Sequence, residues 1–165
     1  MIKYPTGVNL DSSSNVYFGD HSWVDEGCNV IRKITISTGI ISTVAGIGST
    51  SGGYNGDNIQ ATAASLNLPN DIVLDSYGNL YISDLSNNRI RKVDASTGVI
   101  STVVGTGTAS STGDGSAASS ATIYSPQFIR FDSSGNLYIT EGNRVRKVMT
   151  ITTDIPTAAP SHTPR

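Results

Sequence analysis

The sequence predicts an all-β fold made of repeated antiparallel sheets, each containing four short strands. Two observations predict it: one block of residues is written three times along the chain, and the composition disfavours helices. Ser and Thr together make up about a quarter of the 165 residues, and 17 residues are Gly. Gly and β-branched Thr both lower helix propensity, whereas turns and strands accept them. We therefore expect many turns and short strands.

The repeat begins at a proline that is followed by an apolar triplet and an aspartate. Its three copies are PTGVNLDSSSNVYFGD from Pro5, PNDIVLDSYGNLYISD from Pro69 and PQFIRFDSSGNLYITE from Pro126. A second block follows each copy, as NVIRKI, NRIRKV and NRVRKV. A third block, STGIISTVAG or STGVISTVVG, follows only the first two copies. Self-similarity at a roughly constant spacing is the signature of a repeat architecture.

The second copy shows how each repeat divides into strands. Residues 72–74 form an apolar run that suits an inner strand covered on both faces. After the turn SYGN, residues 80–83 alternate between the two faces of a sheet. Arg89–Val93 supplies a third strand, and Val99–Val104 supplies a fourth that is rich in β-branched residues. Four strands with apolar residues on both faces predict an incomplete β-propeller, with two full blades and three strands of a third.

The repeats place the blades in one domain that covers residues 1–150, and a tail follows them. The predicted limits of the three blades are about 5–46, 69–105 and 126–150, with long linkers between them. Residues 151–165 are rich in Thr, Pro and Ser, which predicts a disordered segment. Mucin-like stalks share this composition, so the tail favours an extracellular or cell-surface location.

Charge, hydropathy and cysteine content exclude several classes of protein. The net charge of −2 provides no basic surface for nucleic acid. No apolar run approaches 18 residues, so we expect no membrane-spanning helix. Cys28 is the only cysteine, and the chain therefore forms no internal disulfide.

The second copy and its linker resemble a known family of repeats. The pattern P-x-x-I-V-L-D-x-x-G-N-L-Y-I-x-D-x-x-N-N-R-I-R-K-V, with a linker of the form STVVGTG…GDG…A…P, is similar to the long variety of NHL repeat. The resemblance covers nearly the whole chain, except for about fifteen C-terminal residues. It implies a β-propeller, usually of six blades, that acts as a platform for binding a protein or a glycan.

The same resemblance leaves two alternatives open. Related propellers include lactonases and lyases that hold a metal ion in the central channel, so a metal-dependent enzyme is one alternative. The other is a structural module that assembles through open blade faces. Two and three-quarter blades leave the outer faces of the first and last blades uncovered. We expect a fragment of a longer propeller, a homodimer that completes a six-blade ring, or an open arc.

A loop between the second and third strands of the first copy is the best candidate for contact with a ligand. The sequence HSWVDEGC places His21, Trp23, Asp25 and Glu26 there, and the corresponding turns of the other copies are much shorter. An aromatic ring, an imidazole and two carboxylates suit contact with a protein or a sugar. The alternative, which long surface turns favour, is a purely structural hairpin with Trp23 packed on its own blade.

An acid and an arginine recur on the two sides of the hairpin between the second and third strands. Asp84 and Arg89 hold these positions in the second copy, and Glu141 and Arg144 hold them in the third. We interpret them as structural pairs that face each other across the turn. The first copy has Val30 in place of the arginine, which argues against a shared catalytic role.

The sequence assigns no catalytic, cofactor-binding or metal-binding residue. The Gly-Asp steps at 56–57 and 113–115 lack the alternating acids of a calcium loop, and we interpret them as turns. The first strands offer mainly Asn9, Asp71 and Arg130 to a central channel. We therefore expect a binding scaffold without a cofactor.

Overall fold

The computed structural model describes residues 2–21 and 28–149, which form three antiparallel sheets. The first sheet has four strands in the order β1-β2-β3-β4, and the third has three in the order β10-β11-β12. The second has five, in the order β5-β9-β8-β7-β6. The strands are β1 Tyr4–Leu10, β2 Val16–His21, β3 Val30–Thr35, β4 Ile40–Ala45, β5 Ile59–Gln60, β6 Pro69–Leu74, β7 Leu80–Asp84, β8 Arg89–Val93, β9 Val99–Val104, β10 Pro126–Phe131, β11 Leu137–Glu141 and β12 Arg144–Val148.

Each sheet is one blade, and we number the blades 1 to 3 along the chain. In every blade the chain runs from an inner strand outward through hairpins, as the repeat predicts. The described residues contain no α-helix; their helical turns are short 3₁₀ segments such as Ala61–Ala63. The all-β prediction is therefore confirmed.

One strand was not expected from the sequence. The linker that precedes blade 2 adds β5 to the outer edge of β9, with Ile59 opposite Ile100. The outer strand of a sheet offers unpaired backbone groups, and a linker that crosses that edge in an extended conformation satisfies some of them. Blade 2 therefore has five strands instead of four.

The hydrophobic core lies between the blades. One cluster joins blades 1 and 2, and it includes Ile31 of blade 1 together with Ile72 and Ile82 of blade 2, all fully buried. A second cluster joins blades 2 and 3 around Ile90 and Ile139. Residues on one strand of blade 2 thus alternate between the two clusters, which is why its strands are apolar on both faces.

Asparagine side chains fasten each blade to the next. The backbone N–H of Leu68 donates to Oδ1 of Asn29 at 2.8 Å, and that of Ser125 donates to Oδ1 of Asn88 at 3.0 Å. Both asparagines have a positive φ, 43° and 51°, at the turn before the third strand. Asn tolerates this left-handed conformation better than most residues. The repeated Asn therefore shapes its own turn and holds the following blade.

The outer faces of blades 1 and 3 are uncovered. Val8 is 60% exposed at the position where blade 2 has the fully buried Ile72. Val145 is 67% exposed where blade 2 has the fully buried Ile90. Residues of the same chemistry therefore lie in the core between blades and on the surface at the two ends.

Candidate functional site

The candidate site lies at the loop end of the blades, where the hairpins β2–β3, β7–β8 and β11–β12 meet the long linkers. The last acid of the second strand has one role in all three blades. Oδ1 of Asp84 accepts the N–H of Asn67 at 2.8 Å, and Oε2 of Glu141 accepts that of Tyr124 at 2.7 Å. Oδ1 of Asp20 accepts the N–H of Lys3 at 2.8 Å. Each donor lies two residues before the repeat proline, so the acid fixes the entry of the inner strand.

In blade 2 the same acid also belongs to a buried ionic network. Oδ2 of Asp84 lies 3.4 Å from Nη1 of Arg91, and both side chains are fully buried. Nη2 of Arg91 lies 3.0 Å from Oδ1 of Asp57 in the linker. Thr102 on β9 donates its hydroxyl to the same Oδ1 at 3.0 Å. One arginine therefore joins the hairpin, the outer strand and the linker.

Burial determines the protonation of this network. It raises the pKa of Asp84 from 3.8 to about 6, because an ionised carboxylate is poorly solvated there. Hydrogen bonds from Asn87 and Asn67 and the charge of Arg91 oppose the shift. Asp84 is therefore largely ionised at pH 7 and becomes protonated in mild acid.

The structure distinguishes the predicted acid–arginine pairs from the ion pairs that form. Asp84 is opposite Arg89 in the β7–β8 register, and Glu141 is opposite Arg144 in the β11–β12 register. However, the guanidinium of Arg89 donates to the carbonyl oxygens of Asn87 and Thr106, at 2.9 and 2.6 Å.

The ion pairs use the arginine two residues further along. Among the described residues, Asp84 pairs with Arg91, and Glu141 pairs with Arg146 at 3.5 Å. Strand alternation puts Arg89 and Arg91 on the same face, and the one nearer the blade centre reaches the buried carboxylate. Each acid therefore pairs with an arginine two residues further along the third strand than the sequence predicted.

The Gly-Asp step at 113–115 lies in a turn and the step at 56–57 lies in a bend, and both have a further role. Asp57 lies over Arg91 of blade 2, and Asp114 lies over Arg146 of blade 3 at 2.5 Å. Each linker thus places a carboxylate on the third-strand arginine of the blade that follows it. Sequence reasoning missed this contact, although the shared position of both Gly-Asp steps relative to the next proline was the available signal.

A tyrosine and an arginine are stacked on the surface beside this network. The Arg89 guanidinium lies 3.8 Å from the ring centroid of Tyr54, and the Tyr54 hydroxyl donates to Oδ2 of Asp57 at 3.1 Å. Tyr54 remains 40% exposed. Arg89 also donates to two carbonyl oxygens, so its guanidinium is held in place. The other face of the pair, at the Tyr54 ring, is accessible to solvent. We call Tyr54 and Arg89 the Tyr–Arg patch.

The loop that was predicted to contact a ligand falls mostly outside the described residues, which include His21 but not Trp23, Asp25 or Glu26. His21 ends β2 and is only 2% exposed. Burial lowers the pKa of its imidazole, and the charge of Asp20 opposes that shift. His21 is therefore a buried side chain next to Asp20, and its role in ligand contact stays a prediction.

The inner strands bring Asp71 and Arg130 together but leave Asn9 outside their contact. Oδ2 of Asp71 accepts the N–H of Ile129 at 2.9 Å and lies 2.6 Å from Nη1 of Arg130. Gly7 packs on the backbone of Asp71, where a Cβ would lie 2.6 Å from the Asp71 Cα. Asp71 is thus enclosed between three blades, and the described residues contain no group of three His, Cys, Asp or Glu side chains able to hold a metal ion.

Comparison with known structures identifies the architecture. A protein of unknown function from Bacteroides thetaiotaomicron is 30% identical, with a TM-score of 0.68 over 81% of this chain and 32% of that one. An auxiliary nutrient binding protein from Bacteroides ovatus is 20% identical, with a TM-score of 0.58 over 85% and 36%. Virginiamycin B lyase from Staphylococcus aureus is 15% identical, with a TM-score of 0.52 over 90% and 42%. The fold is that of a β-propeller.

The family comparison narrows this class. The model of the Teneurin NHL domain matches residues 51–112, which contain most of the linker before blade 2 and all strands of that blade. Residues 51–112 therefore match an NHL-type repeat, and the predicted resemblance to NHL repeats is confirmed. No curated protein matches the chain in sequence.

The solved structures are longer than this chain, and two of the three are distant in sequence. This chain spans between about a third and two fifths of the three solved structures named above. Those below 25% identity share the fold, and they include both a binding protein and a lyase. Within the described residues, no helix is long and apolar enough to cross a membrane.

Proposed function

We propose that the chain is a non-catalytic binding scaffold that recognises a protein or a glycan at the loop end of its blades. The observation that carries this proposal is the Tyr–Arg patch, in which Tyr54 is exposed while Arg89 and Asp57 hold its position. Tyrosine and arginine are enriched at the energetic centres of interfaces. A ring that is fixed before binding loses little conformational entropy when a ligand covers it.

The buried network beneath the patch supports this assignment. Arg91 lies 4.9 Å from the Tyr54 ring centroid and also bonds Asp57, so the linker, the hairpin and the outer strand hold the patch jointly. Binding surfaces on loops are typically positioned by a rigid scaffold in this way. An auxiliary nutrient binding protein is among the structural neighbours, so a nutrient is one ligand class to test.

Binding of the purified 165-residue chain to a printed glycan array and to a protein array tests the proposal. We expect Tyr54→Ala to reduce the apparent affinity for any captured ligand by about tenfold or more, as for a central interface residue. Tyr77→Ala is the matched control, because Tyr77 is 67% exposed in the turn after β6, away from the loop end. Equal binding by the wild type and both variants would contradict the proposal.

A second function is favoured by the end faces of the blades. Val8 and Val145 are exposed at positions that are fully buried between blades in the interior. Such apolar surface favours association with further blades, and a second copy of the chain would supply three. This proposal makes the chain a structural module whose open faces complete a larger ring.

Light scattering of the purified chain over a dilution series tests the assembly proposal. We expect a dimer whose dissociation shifts to higher concentration in Val8→Asp, because a carboxylate at the face would have to be buried. Tyr77→Asp is the control for adding a charge to an exposed position. A monodisperse, well-folded monomer at all concentrations would contradict assembly between copies.

A further inference from the structure

The loop end of blade 1 contains a cavity whose surroundings repeat those of the blade 2 network, but the described residues place no linker acid in it. The cavity has a volume of about 380 Å³ and is lined by Arg32, Thr43, Cys28 and Val30 among others. Arg32 and Thr43 are cross-strand partners on β3 and β4, as Arg91 and Thr102 are on β8 and β9. The cavity is therefore lined by the same two types of hydrogen-bond donor, an arginine and a threonine, that bond Asp57 in blade 2.

The side chains in this cavity lack the partners that their counterparts have. Arg32 forms no ion pair among the described residues, and its Nη1 donates instead to the hydroxyl oxygen of Thr43 at 2.5 Å. Asp20 is only 1% exposed, and its Oδ2 has no hydrogen-bond partner within residues 2–21 and 28–149. The equivalent oxygen of Asp84 accepts from Asn87 and Arg91.

Two internal examples show what binds such an arginine. In blade 2 the guanidinium of Arg91 donates to the carbonyl oxygen of Gly56 at 2.8 Å and to the carboxylate of Asp57 at 3.0 Å. In blade 3, Asp114 of the next Gly-Asp step lies on Arg146. In both cases the ligand is a glycine-rich turn that presents one carboxylate and approaches from the linker before the blade.

We propose that the cavity over Arg32 is a binding site for a Gly-Asp peptide turn supplied by a propeller-type linker from outside residues 2–149. The carboxylate would bond the guanidinium of Arg32 and the hydroxyl of Thr43, as Asp57 does with Arg91 and Thr102. Small apolar Cys28 and Val30 replace Asn87 and Arg89 there. The site therefore selects for the carboxylate and the turn and does not demand an aromatic residue such as Tyr54. It is separate from the Tyr–Arg patch.

The test attaches such a turn in register. A second copy of residues 46–66 is fused directly before Lys3, because Lys3 occupies the position that Asn67 holds after its own linker. We expect the equilibrium constant for urea unfolding to fall by about tenfold or more, since the tethered turn has a high effective concentration at the site. Changing the fused copy's aspartate, the counterpart of Asp57, to Asn supplies the matched control.

Arg32→Met separates the site from a general effect of extending the chain. The proposal requires that the stabilisation disappears both in the Asn control and in the fusion that carries Arg32→Met. It also requires new amide chemical shifts for Arg32 and Thr43 in the fusion. Equal stabilisation in all fusions, or none in any, overturns the proposal. These readouts concern folding and local shifts, so they are independent of whether the Tyr–Arg patch binds a ligand.

Discussion

Blade 1 and blade 2 contain nearly the same residues in very different surroundings. Arg91 of blade 2 is completely buried between Asp84 and Asp57, whereas Arg32 of blade 1 is half-buried beside an open cavity. Ile72 is fully buried, whereas Val8 at the same repeat position is mostly exposed. A blade therefore takes its stability from the linker before it and from the blades on both sides.

The largest expected difference in the free energy of unfolding is between variants of Arg91 and Arg32. Arg91→Met should lower the free energy of unfolding by about 3–5 kcal/mol, because it leaves Asp84 buried without its charged partner. Arg32→Met should cost less than about 1 kcal/mol, as for a partly exposed charge. Urea denaturation of both variants of the 165-residue chain measures the difference, and similar losses would refute the contrast between the blades.

The next largest difference in stability is expected between a buried and an exposed apolar face of the blades. Ile72→Ala should cost about 2–5 kcal/mol, since it leaves a cavity in the cluster between blades 1 and 2. Val8→Ala should change the stability of the monomer by about 0.5 kcal/mol or less, as at other exposed positions. The measurement is made at a concentration where light scattering shows a monomer. A large loss in Val8→Ala there would mean that this face is already covered.

The buried Asp84 predicts that the stability of the chain depends on pH. Its folded-state pKa of about 6 exceeds the ordinary value of 3.8, so the folded chain binds this proton more tightly than the unfolded chain. The resulting stability is present below about pH 4 and is lost as the pH rises through 6. Over this window the loss amounts to about 3 kcal/mol.

The pH effect is measured as a difference between wild type and Asp84→Asn. Unfolding free energies of both are determined from pH 4 to 7, and the gap between the two curves should change in that window. Subtraction removes the contribution of Asp11, Asp94 and Asp132, whose pKa values are lowered by hydrogen bonds in their turns. Parallel curves would show that Asp84 does not titrate there.

The smallest expected contrast concerns the hydroxyl groups that join adjacent blades. Ser83 donates to the carbonyl oxygen of Pro126 at 2.5 Å within the core, and Thr6 donates to that of Pro69 at 3.1 Å. Ser83→Ala should cost about 1–3 kcal/mol because a buried carbonyl loses its donor, and Thr6→Val about 0.5–1.5 kcal/mol. Equal costs, again from urea denaturation, would show that burial does not set the difference.

Much of the architecture was predictable from local chemistry. The repeated proline, apolar triplet and aspartate marked each inner strand, and alternation in residues 80–83 marked the next. These signals are local because a strand needs only period-two patterning and a turn needs only a few permissive residues. The two-residue strand β5 was not predictable in this way, since the edge of β9 induces it.

The candidate site was much less predictable. Sequence spacing brought Asp84 opposite Arg89, but the depth of burial on the folded blade selected Arg91 as the partner. Asp57 reaches Arg91 from 34 residues away, and no local pattern encodes that distance. Partners across a linker become visible only when the chain has folded back over the next blade.

The kind of repeating unit follows from the sequence, because each repeat carries its own strands, turns and apolar faces. Which arginine is buried, which acid has a raised pKa and which cavity is open all depend on the packing of the folded blades. The physical reason is that propensity and alternation act over a few residues, whereas desolvation and ion pairing depend on everything packed around a group. Arg32 and Arg91 have nearly identical sequence neighbours, and their different surroundings make one an open site and the other part of the core.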